Sequence, residues 1–165
     1  MKNKEEFIKK YEAANNFFKK KKFKEAIDLW MELALKGHSQ SQYCIAYIHL
    51  YDDMGVKKNF KEAYKWTKLS AEQEEPQATA LLAHMYDKGI GVTANKKEAF
   101  KYYLLALKSG NSEAAEKVIY SYFYGIGVEI DYQKAKELCE IVAKQNEASL
   151  SVMFLAQIYG RGLSV

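Results

Sequence analysis

The 165-residue sequence contains a single proline, two cysteines and three histidines, and it has no long apolar run. Because no apolar stretch approaches the ~18 residues of a membrane-spanning helix, we expect no membrane span. The first residues lack the apolar core of a signal peptide, which predicts a cytoplasmic protein. Apolar residues make up 48% of the chain, a composition typical of a folded helical protein rather than a disordered one.

The residue types that carry catalysis or bind metals are few and scattered. His38, His49 and His84 have no second ligand at a metal-binding spacing, and the motifs H-E-x-x-H, C-x-x-C and G-x-S-x-G are missing. Two Gly-x-Gly pairs follow helical patterns rather than strands, so we interpret them as turns rather than phosphate sites. We therefore predict no enzymatic activity, no cofactor and no metal; an enzyme would need a deep pocket with a perturbed acid or base.

The sequence does contain a repeated helical hairpin, which is clearest between residues 78 and 110. Ala78, Leu82 and Tyr86 recur at helical spacing and share one face of a first helix. Gly89 and Gly91 interrupt that pattern before a second helix begins. The apolar residues of the second helix are Ala99, Tyr102, Tyr103 and Ala106. Because neither helix can bury its apolar stripe alone, a similar hairpin must stack against it.

An alanine of the second helix recurs through the chain at spacings of 37, 36 and 36 residues. These alanines are Ala26, Ala63, Ala99 and Ala135. A period of this length indicates an array of helical repeats. Cys44 and Cys139 fall in different copies, so we expect no disulfide between them, which fits a reducing compartment.

Small polar residues mark the starts of the second helices. Asn59, Asn95 and Asp131 each lie four residues before the repeat alanine and are predicted N-caps. Glu62 and Glu98 lie three residues further on, so we expect capping boxes in which their side chains bond back to the cap amide.

The predicted ends of the second helices are Gly37, Glu74, Gly110 and Asn146 in successive copies. Glycine and asparagine tolerate the left-handed backbone that terminates many helices. Glu74 is not expected to adopt it, and the following Glu75-Pro76 predicts a different kind of helix stop.

The glycine pairs, the alanines and the period together resemble the Sel-1-like repeats, a branch of the tetratricopeptide superfamily, over about residues 38–165. The clearest matching residues are Ala78, Leu82, Tyr86, Gly89, Gly91, Val92, Ala99, Ala106 and Gly110. The resemblance implies an all-α, right-handed α-solenoid of stacked helix-turn-helix repeats with about nine helices. The expected single domain, 1–165, comprises a tetratricopeptide-like first hairpin (1–37), repeats at 38–74, 75–110 and 111–146, and an incomplete last repeat (147–165).

In this superfamily the first helices line the concave side of the solenoid, so the resemblance implies a groove built from first-helix side chains. The expected partner-binding residues are Tyr11, Asn15, Tyr43, Tyr47, Tyr51, His84, Asp87, Glu113, Glu116, Tyr120 and Tyr124. Tyrosine suits binding surfaces because it combines a large rigid ring with a polar tip. For Tyr43, Tyr120 and Tyr124, packing between adjacent helices is an alternative, and core packing is the favoured interpretation of Tyr86 and Tyr122.

Bacterial members of the resembled family commonly act as adaptors, and the resemblance implies a non-catalytic scaffold that binds a protein or peptide in this groove. An immunity-type inhibitor of a cognate toxin is an alternative. The basic segment Lys19–Lys22 suggests another alternative, binding of nucleic acid or anionic lipid. The same lysines suit the carbonyl end of a helix, so we do not expect nucleic acid as the partner.

The last helical pattern is strongly apolar, and no second helix follows it in the sequence. Its apolar residues are Met153, Phe154, Leu155, Ile158 and Tyr159. Terminal repeats usually present a polar outer face. Either the chain is cut short or a second copy covers this helix, which predicts possible self-association.

Overall fold

The computed structural model describes residues 2–145 and 150–163, and within these ranges it contains nine α-helices and no strand. The helices are α1 Lys2–Lys19, α2 Phe23–Leu35, α3 Ser39–Ile48, α4 Phe60–Ala71, α5 Pro76–Lys88, α6 Lys96–Lys108, α7 Glu113–Tyr124, α8 Tyr132–Gln145 and α9 Leu150–Arg161. Successive helices pack against each other in chain order, and α7 also contacts α9. The predicted all-α, right-handed solenoid is confirmed. Odd-numbered helices are the first helices of the hairpins, and even-numbered helices are the second.

The turns between first and second helices depend on glycine, as predicted. In the α5–α6 and α7–α8 turns the first glycine ends the helix with left-handed backbone. The second glycine, Gly91 or Gly127, also has positive φ and lies against the preceding second helix. A Cβ at Gly91 would be 1.9 Å from the carbonyl oxygen of Phe60, and one at Gly127 would be 2.0 Å from that of Lys96. Each turn therefore rests on the start of α4 or α6.

The predicted N-caps of the second helices are confirmed. The side-chain oxygen of Asn59 accepts hydrogen bonds from the amides of Lys61 and Glu62, at 3.1 and 3.2 Å. Asn95 makes the equivalent pair of bonds, and Asp131 accepts one bond of 2.9 Å from a first-turn amide. These bonds satisfy amides that have no partner within the helix.

The expected capping boxes at Glu62 and Glu98 are wrong. The cap amide is already used, because Asn95 donates its backbone N–H to the carbonyl of Tyr86 at 2.8 Å. Glu62 and Glu98 instead lie 3.7 Å from lysine side chains on their own helices. The cap amide thus joins the two helices of one hairpin, which a reciprocal box would prevent.

The same hydrogen bond establishes the register of the irregular second hairpin. The amide of Asn59 donates to the carbonyl of His49 at 2.9 Å, as Asn95 does to Tyr86 and Asp131 does to Tyr122. His49 therefore occupies the position of those tyrosines. The segment from His49 to Asn59 is one residue longer than the segment from Tyr86 to Asn95, and its Met54 is buried where the other copies have a tight glycine turn.

The expectation for the end of α4 is also wrong, because Glu74 has left-handed backbone with φ 59°. Its amide donates to the carbonyl of Ala71 at 2.9 Å. Gly37 and Gly110 make the equivalent bond, at 3.0 Å each, with φ values of 88° and 87°. Glu74 thus takes the place of a glycine, although a side chain makes this conformation unfavourable. The predicted helix end at Asn146 lies outside the described residues.

The core consists of three clusters along the array. The N-terminal cluster surrounds Trp30 and Trp66, and the C-terminal cluster surrounds Val118, Ile119 and Phe123. Between them lies a small cluster with only Ala71, Ala78 and Leu82 fully inside it, against which four tyrosines pack. Both cysteines are free, and they lie in different parts of the array, as predicted.

The apolar surface expected on α9 is narrower than the sequence suggests. Phe154 and Ile158 are buried among residues of the C-terminal cluster, whereas Met153 and Tyr159 are exposed. The Tyr159 hydroxyl donates to Glu140 at 2.9 Å, so this ring is held against α8. Self-association through α9 stays a prediction, now with less apolar surface to support it.

Candidate functional site

The first helices line three adjoining depressions, which we call the groove. The depression near the N-terminus has a volume of about 330 Å³, the middle one about 300 Å³ and the one near the C-terminus about 530 Å³. Tyr43 lines the first two, while Tyr103 and Lys117 line the second and third. Because neighbouring depressions share these walls, the groove runs from α1 to α9.

The N-terminal depression is aromatic and uncharged. It is lined by Asn15, Phe18, Trp30, Tyr43, Cys44, Tyr47 and Ile48. Phe18 packs on Trp30 with ring centroids 5.2 Å apart. Burial raises the pKa of the Cys44 thiol to about 11, so this cysteine is a neutral wall of the depression and not a nucleophile.

The middle depression brings side chains of four helices together. It is lined by Tyr43, Gln77, Ala80, Leu81, His84, Tyr103, Asn111, Glu113, Ala114 and Lys117. Burial lowers the pKa of His84, which keeps the imidazole neutral at pH 7 and able to both donate and accept hydrogen bonds. Glu113 and Lys117 lie on α7 one helical turn apart, so both signs of charge are present on this wall.

The C-terminal depression is more strongly charged. Asp87 lies in it with a side chain only 16% exposed, 2.6 Å from the Nζ atom of Lys96 and 3.1 Å from that of Lys88. Burial by itself would raise the pKa of Asp87, but hydrogen bonds from the two lysines outweigh it and lower that pKa. Glu116 and Lys117 complete the charged wall, and within the described residues neither has an ion-pair partner closer than 4 Å.

Exposed tyrosines stack in two pairs, each pair four residues apart in sequence, on or just after a first helix. Tyr47 and Tyr51 have ring centroids 4.9 Å apart and are 39% and 45% exposed. Tyr120 and Tyr124 have centroids 4.5 Å apart and are 48% and 46% exposed. The rings of each pair support each other while one side stays open to solvent. Tyr120 and Tyr124 also meet Phe154 of α9, with ring centroids 6.4 and 6.1 Å apart. Packing between helices, the alternative for these two residues, therefore describes part of their contacts, while nearly half of each residue stays exposed.

Ten of the eleven predicted groove residues lie in or beside the depressions, and Tyr11 does not. Nine line at least one of the depressions: Asn15, Tyr43, Tyr47, His84, Asp87, Glu113, Glu116, Tyr120 and Tyr124. Tyr51 lies beside them, stacked on Tyr47. Tyr11 is different, because it packs on the His38 ring at 5.1 Å and its hydroxyl lies 3.9 Å from the Cys44 sulfur. Burial raises the pKa of Tyr11 to about 12, as expected of a residue packed between the first and second hairpins.

Sequence reasoning missed the contribution of second helices to the groove. Tyr103 and Lys96 of α6 both reach it, although the helical pattern assigned Tyr103 to the core. Tyr103 is indeed buried, with 7% of its surface exposed, but it lines both the middle and the C-terminal depression. Lys117 was missed as well, and its spacing of one turn from Glu113 and Tyr120 was the available signal.

The lysine run Lys19–Lys22 lies outside the groove. α1 ends at Lys19, and the remaining lysines form the connection to α2. The Nζ atom of Lys22 lies 5.9 Å from the centroid of the Phe17 ring. This placement matches the structural interpretation of the run, in which cations stand near the carbonyl end of a helix.

Most of the chain matches the model of one protein family. The model of the Sel1 repeat matches residues 38–75, 76–111 and 113–147, which is more than half of the sequence. The chain belongs to the Sel1 repeat family. Sel1 repeats generally mediate protein–protein interactions, and their fold is in general a non-enzymatic scaffold. The predicted family resemblance is thereby confirmed. A search of curated proteins found no match.

Two solved structures share the Sel1 architecture at moderate sequence identity. A Sel1 repeat protein from Oxalobacter formigenes is 26% identical, with a TM-score of 0.82 over 92% of this chain and 62% of that one. The protein c5321, a protective antigen present in uropathogenic Escherichia coli strains, is 28% identical, with a TM-score of 0.86 over 98% of this chain and 36% of that one. The chain thus spans less than two thirds of either relative.

A third structure shares the fold alone. Cysteine-rich protein B of Helicobacter pylori is 16% identical, with a TM-score of 0.55 over 76% of this chain and 89% of that one.

Among the residues that the structure describes, no group of three or more His, Cys, Asp or Glu side chains could hold a metal ion. In the same residues, no helix is long and apolar enough to cross a membrane.

Proposed function

We propose that this Sel1 repeat protein is a non-catalytic adaptor that binds an extended segment of a partner protein along the groove. The observation that carries the proposal is the continuity of the three depressions, which share Tyr43, Tyr103 and Lys117 as common walls. A continuous open channel suits a peptide chain better than a small molecule, which is usually held in one enclosed cavity.

The chemistry along the groove supports a partner segment with two unlike ends. The N-terminal depression offers aromatic and aliphatic surface, which suits an apolar anchor residue. The C-terminal depression offers the charges of Lys88, Glu116 and Lys117, which suit polar or charged residues of the same segment. Such an arrangement fixes the direction of the bound chain. If the chain were reversed, its apolar residue would lie among charges and its charged residues would lie against apolar surface.

Three equivalent positions in consecutive repeats provide the test. Tyr47, His84 and Tyr120 lie two residues before His49, Tyr86 and Tyr122, whose carbonyls accept the bonds from the N-cap amides. Each of the three lines the groove. Replacing all three by alanine removes contact surface from every depression. We expect the variant to lose most partners that the wild-type protein captures from a cell lysate, as identified by mass spectrometry.

A matched control uses exposed apolar residues of the second helices. Leu35, Leu69 and Ile141 lie on α2, α4 and α8, outside the groove. Their triple alanine variant should capture the same partners as the wild-type protein. If the groove variant keeps a wild-type circular dichroism spectrum and an unchanged set of partners, the groove assignment is wrong.

A further inference from the structure

A larger depression lies away from the groove, along α6 and the α7–α8 turn. Its volume is about 950 Å³, and its floor is apolar, with Phe100, Leu104, Leu105 and Val128 among the lining residues. Ile130, which is 54% exposed, lies beside Gly125 at the same turn. None of these residues was assigned a binding role above.

Comparison with the neighbouring repeats shows that this apolar floor is a departure from the repeat pattern. Counted from the N-caps Asn59, Asn95 and Asp131, Leu104 of α6 corresponds to Lys68 of α4 and Glu140 of α8. Lys68 pairs with Glu72 at 3.9 Å, and Glu140 accepts a hydrogen bond from a tyrosine of α9. The position is charged and engaged in both neighbours, whereas in α6 it is a half-buried leucine.

The tyrosine that packs against this face differs in the same way. Tyr86 has its hydroxyl 2.9 Å from the hydroxyl of Tyr64, its partner on α4. The corresponding Tyr122 meets Phe100 edge-to-face at 5.2 Å, and within the described residues its hydroxyl has no hydrogen-bond partner. The pair of tyrosine hydroxyls that meet on α4 is thus replaced on α6 by a phenylalanine, which has no hydroxyl.

The rim of the apolar floor carries three lysines and two carboxylates, Glu98 and Glu129, so positive charge predominates. The lysines are Lys97, Lys101 and Lys108, and together with Leu104 they follow one stripe of α6 at one-turn and two-turn spacing. Glu98 pairs with Lys101 at 3.7 Å, and within the described residues no carboxylate lies within 4 Å of Lys97 or Lys108. Lys108 lies eleven positions after Lys97 on the helix, a distance of about 16 Å. The surface therefore offers two unengaged cations at opposite ends of an apolar strip.

We propose that this face of α6, which we call the α6 surface, docks an acidic amphipathic helix from a partner protein. Apolar side chains at helical spacing would cover Phe100 and Leu104, and carboxylates about three turns apart would reach Lys97 and Lys108. Charge complementarity selects an acidic rather than a basic segment. A helix suits a strip of this length, and a protein segment suits a depression better than a membrane does, since membrane-binding residues protrude.

The test uses a synthetic, fluorescein-labelled peptide of about 15 residues, with leucines on one helical face and glutamates on the other. We expect saturable binding in fluorescence anisotropy and at least tenfold weaker binding to the Leu104→Glu variant. That substitution installs the residue type found at the same place in α8, so it fits the repeat. The double variant Lys97→Ala and Lys108→Ala, which changes only exposed side chains, should also weaken binding.

Three controls test whether the peptide binds at the α6 surface and through its charge. Leu69→Glu makes the same chemical change on α4 and should leave binding intact, as should the triple groove variant. A peptide with lysine in place of glutamate should bind at least tenfold more weakly. The proposal fails if the acidic peptide shows no saturable binding up to about 1 mM, or if Leu104→Glu binds it as the wild type does. It also fails if vesicles of equal parts phosphatidylglycerol and phosphatidylcholine bind the protein with the same dependence on Leu104.

Discussion

Replacing Gly127 by alanine should destabilise the solenoid much more than the same replacement at Gly110. The two glycines have similar backbone conformations, with φ values of 75° and 87°. A Cβ at Gly127 would lie 2.0 Å from the carbonyl oxygen of Lys96, whereas one at Gly110 would have no atom within 4 Å. The pair thus separates the conformational effect of a side chain from its steric effect.

The magnitudes follow from these two geometries. An alanine in left-handed backbone costs about 1 kcal/mol, which is the whole effect expected for Gly110→Ala. At Gly127 the turn or the start of α6 must also move by about 1 Å, and such overpacking adds about 1–3 kcal/mol. We therefore expect Gly127→Ala to lower the free energy of unfolding by about 3 kcal/mol.

Urea and thermal denaturation, both followed by far-ultraviolet circular dichroism, measure this difference. For a chain of this size, Gly110→Ala should lower Tm by about 2–4 °C and Gly127→Ala by about two to three times as much. Gly91→Ala should behave like Gly127→Ala, because its Cβ would lie 1.9 Å from the Phe60 oxygen. Equal losses of stability at Gly110 and Gly127 would refute the idea that the second glycine is required for contact between repeats.

Further predictions concern the helix ends and one ion pair. Glu74→Gly should raise the free energy of unfolding by about 0.5–1 kcal/mol, because glycine tolerates the left-handed backbone at this position. Glu72→Gly, at φ −63°, should lower the free energy of unfolding, and denaturation of both variants measures the difference. Asn95→Ala should cost about 1 kcal/mol, but Glu98→Gln should have little effect because no capping box forms; similar losses from both would contradict the cap geometry. The pKa of Asp87 is lowered in the folded protein, so its contribution to stability is present above the ordinary pKa of aspartate and is lost as pH falls through the folded value. Lys96→Met should raise that pKa in an NMR titration and reduce the pH dependence, and an unchanged titration would argue against the pair.

Local sequence signals predicted the architecture because each acts within a few residues. The N-caps Asn59 and Asn95 and the paired glycines specify helix boundaries through short-range hydrogen bonds and backbone conformation. The alanine period then specifies stacking, since only similar hairpins can cover one another's apolar faces. For the same reason, positions such as Tyr47 and His84 could be placed on first-helix faces before their surroundings were known.

Features that depend on competition between distant groups could not be predicted in this way. The Glu98 capping box fails because the Asn95 amide prefers a carbonyl on the neighbouring helix. Glu74 accepts unfavourable backbone because the stacking of α5 on α4 fixes where α4 must end. Tyr103 reaches the groove from a second helix because adjacent first helices leave its edge uncovered, which periodicity alone does not reveal.

The contact of Gly91 with Phe60 is the same joint as that of Gly127 with Lys96, one full period further along the chain. Because successive hairpins are joined by the same contact, the protein can be lengthened or shortened by whole hairpins without changing the residues of either neighbour. Excision of residues 92–127 would leave the turn at Gly91 seated on α4 and bring α8 into the place of α6. Evolution can therefore adjust the reach of the groove in steps of one hairpin, and can vary a single outer face such as that of α6 while the rest of the array stays the same.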